Sequence, residues 1–113
     1  MSKAKDLRPK VVTLEFDKER HLVFDYGALE VLEDYYGSID KAFEELKLVG
    51  EGKPVLKVIR IMLYAGLKHE DENLTPDDIK KWNPLTILNN QEQIMEAFNS
   101  SLPGESKNVQ IAQ

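Results

Sequence analysis

The chain contains no cysteine. Disulfide bonds and thiolate chemistry are therefore excluded, and an intracellular setting fits. Aromatic residues are few, with a single tryptophan, so an aromatic anchor for a partner has few sources. Trp82, Tyr35 and Tyr36 are the candidates, although core packing is the commoner use of such residues. Long hydrophobic runs are also lacking. The richest stretch, residues 55–67, is interrupted by Lys57 and Arg60 and is too short and too charged to span a bilayer. The N-terminal "MSKAKDLRPK" is basic but has no apolar run behind it. It reads as a flexible arm over residues 1–10, not a secretory signal. Positive charge is in deficit: 15 basic residues face 20 acidic ones, a net charge of -5. Non-specific nucleic-acid binding needs clustered positive charge, so this balance argues against it. A phosphate-binding loop is missing too, because Gly50 and Gly52 lack the lysine–serine pattern such a loop requires.

What is present suits one small domain of 113 residues, with 42% hydrophobic residues for a core. "VVTLEFD" alternates, with Val12, Leu14 and Phe16 on one face. "DKE" can turn the chain, and "RHLVF" then places Leu22 and Phe24 together. This predicts a β-hairpin with one buried side, which needs helices to cover it. Asp25 is a suitable N-cap for a helix ending at Gly37, with Leu29, Leu32 and Tyr36 at helical spacing. Ser38 can cap the next helix, whose apolar face is Ile39, Phe43 and Leu46. "VGEGKP" reads as a loop, and Pro54 suits the first turn of a helix over residues 54–68. That helix is apolar nearly all round, leaving a narrow polar stripe of Lys57, Arg60, Tyr64 and Lys68. Thr75, Pro76 and Asp78 make a capping box. Asn83–Pro84 punctuates the chain, and Asn90 can cap a last helix carrying Ile94, Phe98 and Leu102. The predicted fold is α+β: an N-terminal β-hairpin packed on four to five helices over residues 11–102, then a flexible tail over 103–113.

The densest chemistry lies in "YAGLKHEDENLTPDDI". His69 stands beside Glu70, Asp71 and Glu72, but consecutive side chains diverge and no second histidine or cysteine is spaced to join them. An EF-hand needs glycine at its sixth and glutamate at its twelfth position; "DENLTPDDIKKW" has proline and tryptophan there. The stretch reads as the end of one helix and the start of another. Lys68 and His69 complement the negative helix end, and Asp77 and Asp78 the positive one. On this reading His69→Ala leaves stability nearly unchanged. His21, on a strand, can titrate near neutral pH. The paired carboxylates Glu33–Asp34 and Glu44–Glu45 point apart, as on solvated helix faces. No serine carries a nucleophile signature. The chain is therefore expected to be no enzyme and to hold no cofactor or metal. A metal-dependent enzyme built around His69 is the alternative from another class.

"FDYGALEVLEDYYGS" after a β-hairpin, followed by "LYAGLKHEDENLTPDDI", resembles the tail assembly chaperone family of long-tailed bacteriophages and prophages. The resemblance covers about residues 11 to 102. It implies a non-enzymatic factor in the host bacterial cytoplasm. Such a factor binds the tape measure protein and keeps it soluble during tail morphogenesis. It also implies a longer form, made by ribosomal frameshifting, that recruits the tail tube protein. A homo-oligomer is compatible with that role. A small adaptor or head–tail completion protein is the alternative within the phage setting. A chaperone for an apolar helical client needs an apolar patch of its own. Ile61 and Tyr64 on the helix over 54–68, with Ile94 and Phe98 on the last helix, are the candidate partner-binding residues.

Overall fold

The computed structural model describes residues 10–51 and 55–100. The expected arm before Lys10, Pro54, Leu102 and the tail from residue 103 lie outside the described residues. Strand β1 (Val12–Glu15) pairs antiparallel with β2 (Glu19–Leu22), setting Val12 opposite Leu22 and Leu14 opposite Arg20. The period-2 alternation has its expected result: Leu22 and Phe24 are buried, and Val12 and Leu14 pack against the core. Arg20 shares the inward face with Leu22 and Phe24 and is only 4% exposed.

Local signals set the first helices. The Asp25 carboxylate accepts from the Ala28 amide at 2.9 Å and opens α1 (Tyr26–Tyr36). Gly37, at φ 93°, closes it in a left-handed turn that glycine adopts without strain. Ser38 caps α2 (Ile39–Gly50) by accepting from the Lys41 amide. Next comes α3 (Leu56–Leu67), the central element, which touches β2, α1, α2 and the short helix α4 (Pro76–Ile79). Gly66 lets the hairpin approach α3 closely. A Cβ there would lie 2.7 Å from Leu22 Cδ1, and the Gly66 carbonyl accepts from the Val23 amide at 3.0 Å. The Thr75–Asp78 capping box of α4 is complete.

Among the described residues six helices follow the hairpin, against the four to five expected. The extra one is α5 (Pro84–Asn89), opened by Asn83, whose side chain accepts from the Leu85 amide at 2.9 Å. Six residues are too few to display a helical period, so Asn83–Pro84 reads only as a break. Asn90 also differs from its expected role as a cap of α6 (Gln91–Ser100). Its side-chain amide donates backward to the Thr86 carbonyl at 2.8 Å and closes α5 instead.

Three of the four candidate partner-binding residues belong to the core. Ile61 is 1% exposed, and Ile94 and Phe98 are fully buried. Phe98 packs edge-on against Phe24 at 5.4 Å and against Phe43 at 6.0 Å, tying α6 to the hairpin and to α2. The near-complete apolar girth of α3 is consumed by neighbours on several sides, so Ile61 offers no surface to a client. Tyr64 is half-buried, with Lys68 Nζ 5.4 Å from its ring centre.

Candidate functional site

Two places gather chemistry. The first is the edge of β2 away from β1. After α3 the chain turns tightly, with the Glu70 and Asp71 amides both donating to the Leu67 carbonyl at 3.2 Å. The turn lays His69, Glu70 and Asp71 beside β2. His69 Nε2 donates to the His21 carbonyl at 2.6 Å. The Glu70 carboxylate accepts from the His21 amide at 3.1 Å and meets His21 Nδ1 at 2.9 Å. Together with the bond from Val23 to Gly66, these contacts stand in for a third strand and cover a sheet edge. His69 lies exposed in the turn, as the loop reading expects, and its ring also holds a strand carbonyl.

Beside this clasp, Arg20 donates from Nε and Nη2 to Asp17, at 2.8 and 2.7 Å, and from Nη1 to Asp71 at 3.0 Å. Its hydrogen bonds hold both aspartates below the usual carboxylate range. The guanidinium lies 4.9 Å from the centre of the Trp82 ring, which stacks on Phe16. Hairpin turn, acidic turn and the segment after α4 therefore meet on one buried cation. The arrangement is structural: each named polar group is engaged within the chain. Among the described residues, no group of three or more His, Cys, Asp or Glu is placed to hold a metal ion.

His21 has a carboxylate on each ring nitrogen, Glu70 on Nδ1 and Glu19 on Nε2 at 3.1 Å. Two ionised acceptors require two N–H donors, so the imidazolium is favoured. The Glu70 hydrogen bond leads in raising the His21 pKa above its ordinary 6.5. Burial opposes ionisation of Glu70, but the His21 amide and ring outweigh it and hold that carboxyl low. A proton bound more tightly in the folded chain stabilises it fully below pH 6.5, and this contribution is lost as pH rises through the higher folded value. An NMR titration of the His21 ring should give a midpoint above 6.5 that falls back in Glu70→Gln. A midpoint at or below the ordinary value in the wild-type chain would contradict the clasp.

The second place is a groove of about 240 Å³. The first turns of α3 supply Leu56, Lys57 and Arg60. Ile79 and Lys80 end α4, Trp82 follows, and Pro84 and Ile87 of α5 close the far wall. Leu56 is 55% exposed, and Leu85, next to Pro84, is 66% exposed. Arg60 Nε is buried with no hydrogen-bond partner among the described residues. Trp82 was legible as a possible anchor; it is half-buried, with one side on the Arg20 cluster and the groove beside it. Nothing in the sequence directly marks Leu56 and Pro84 as exposed or the core residue Ile87 as the groove wall. The usable signal was the Lys57–Arg60 stripe, which marks where α3 meets solvent. A larger hollow of about 980 Å³, beside Val49, Leu88 and Met95, is flanked by Glu92 and Glu96 and ends at Ser100, where the described chain stops.

No helix of the described residues is long and apolar enough to cross a membrane. Comparison with family models, curated proteins and solved structures finds no match.

Proposed function

We propose that this protein is a non-enzymatic assembly chaperone. It binds the tape measure protein of a long-tailed bacteriophage in the host bacterial cytoplasm and keeps that client soluble, without a cofactor. A frameshift-extended form would add contact with the tail tube protein. The observation that supports this reading best is the open apolar groove beside α3, with Leu56 left to solvent at its rim. Exposed apolar surface next to an engaged core marks partner sites. The net charge of -5 favours solubility of the chaperone–client complex. On this reading the contact surface is Leu56 and Trp82, with Tyr64 further along α3, and not Ile61, Ile94 or Phe98.

Co-expression with the tape measure protein of a long-tailed bacteriophage tests this. The client should pass from the insoluble to the soluble fraction and co-purify. Leu56→Asp should cut the soluble client about fivefold or more, the effect of losing one anchor. The variant should stay folded, because residue 56 is exposed and an acid is favourable in the first turn of a helix. A client that stays insoluble beside wild-type protein would sink the chaperone reading and favour an adaptor role.

A further inference from the structure

We infer that the groove between α3, α4 and α5 takes an acidic amphipathic helix. One apolar side chain of that helix seats against Leu56, Trp82 and Ile87, and flanking Glu or Asp side chains meet Lys57, Arg60 and Lys80. This rests on the reading that the chain binds a helical client, and it specifies the chemistry of the bound segment.

Charge carries the argument. The chain as a whole is acidic, with a net charge of -5, yet among the described residues every charged side chain lining this groove is basic. Lys57 and Arg60 come from α3, and Lys80 from the end of α4, so cations flank the apolar floor from two elements. Among the described residues, Lys80 has one anionic neighbour, Asp77, at 3.4 Å. Both groups are largely exposed, so that pair is weak and exchangeable. Arg60 brings a buried Nε that lacks an acceptor. Size agrees with charge. A space of about 240 Å³ is below the ~300–1,000 Å³ typical of small-molecule sites. It suits a single large side chain projecting from a helix laid in a groove.

The chain's only tryptophan, Trp82, lines the groove, so its emission reports occupancy directly. The probe is a synthetic amphipathic peptide of about 18 residues, five helical turns. It carries one phenylalanine anchor among leucines, with glutamates beside them. Titration should shift Trp82 emission to shorter wavelength and saturate, and calorimetry should give the same Kd. Exposed ion pairs are individually weak, so replacing the glutamates with lysines should weaken binding about tenfold. The exposed double variant Lys57→Glu/Lys80→Glu should reverse the preference while its melting temperature stays near wild type. Equal binding of the two peptides, or no binding of the acidic one, overturns the inference. The chaperone reading fails separately. If the acidic peptide binds as expected but wild-type protein leaves the client insoluble, the groove chemistry stands and the chaperone role falls. If wild-type protein rescues the client and the peptide preference is absent, the reverse holds.

Discussion

Replacing Phe98 with alanine should cost about 3–5 kcal/mol of stability. The ring is fully buried and lies edge-on to both Phe24 and Phe43. Removing it deletes the buried apolar surface, leaves a cavity and abolishes two aromatic contacts, each worth ~0.5–1.5 kcal/mol beyond area alone. The site has little means of collapse, because its aromatic neighbours come from two separate elements, the end of the hairpin and α2. Small domains are stable by only ~5–15 kcal/mol. The loss is therefore about a fifth or more of the total, and α6 should lose its anchorage first. Thermal melts should drop by about 15 °C or more, and amide exchange in α6 should accelerate before that in α3. A loss under about 1.5 kcal/mol would show that the position tolerates a small side chain and that α6 is held by other contacts. The same burial makes Ile61→Asp a poor probe of partner binding: an unpaired carboxylate in the core would unfold the chain.

Arg20→Met should cost about 2–3 kcal/mol. Breaking a buried ion pair from one side typically costs ~3–5 kcal/mol. The figure is lower here because the side chains of Asp17 and Asp71 are 35% and 31% exposed and water can take over part of their solvation. Methionine keeps an apolar stem against Trp82, so the difference reports the guanidinium and not the packing. Arg20→Lys should fall between the two, since one ammonium cannot reproduce three N–H contacts in fixed geometry. The pH dependence has a definite sign. Both aspartates titrate below 3.8 in the folded chain, so the stability they contribute is present above that pH and disappears as pH falls through their folded values. In Arg20→Met this acid-sensitive component should vanish, and the stabilities of variant and wild type should converge at low pH. A constant gap between them from neutral pH down to pH 2 would contradict the assignment.

The features legible in the sequence share a scale. Asp25, Gly37, Ser38 and the Thr75–Asp78 box each act on backbone within four residues of themselves, and all were readable from local chemistry. The hairpin was readable because a two-residue period needs no distant partner. Asn83 and Asn90 were harder, because two short helices meet there and each asparagine has donors and acceptors on both sides. Asn90 satisfies the Thr86 carbonyl behind it, a choice that depends on where α5 ends.

By itself, then, the sequence determined the α+β class, the hairpin, the caps at Asp25, Gly37, Ser38 and Thr75, and the central place of the helix that became α3. The tertiary structure alone decided which apolar residues are core and which border a groove. Ile61 and Leu56 both read as apolar positions of one helix, and only the elements packed around it separate them. Tertiary packing also decided the partners of the acidic stretch. His69, Glu70 and Asp71 meet His21 and Arg20 across separations of 48, 49 and 51 residues. No local period links positions so far apart in the chain. They meet because α3 and its following turn bring the two segments side by side.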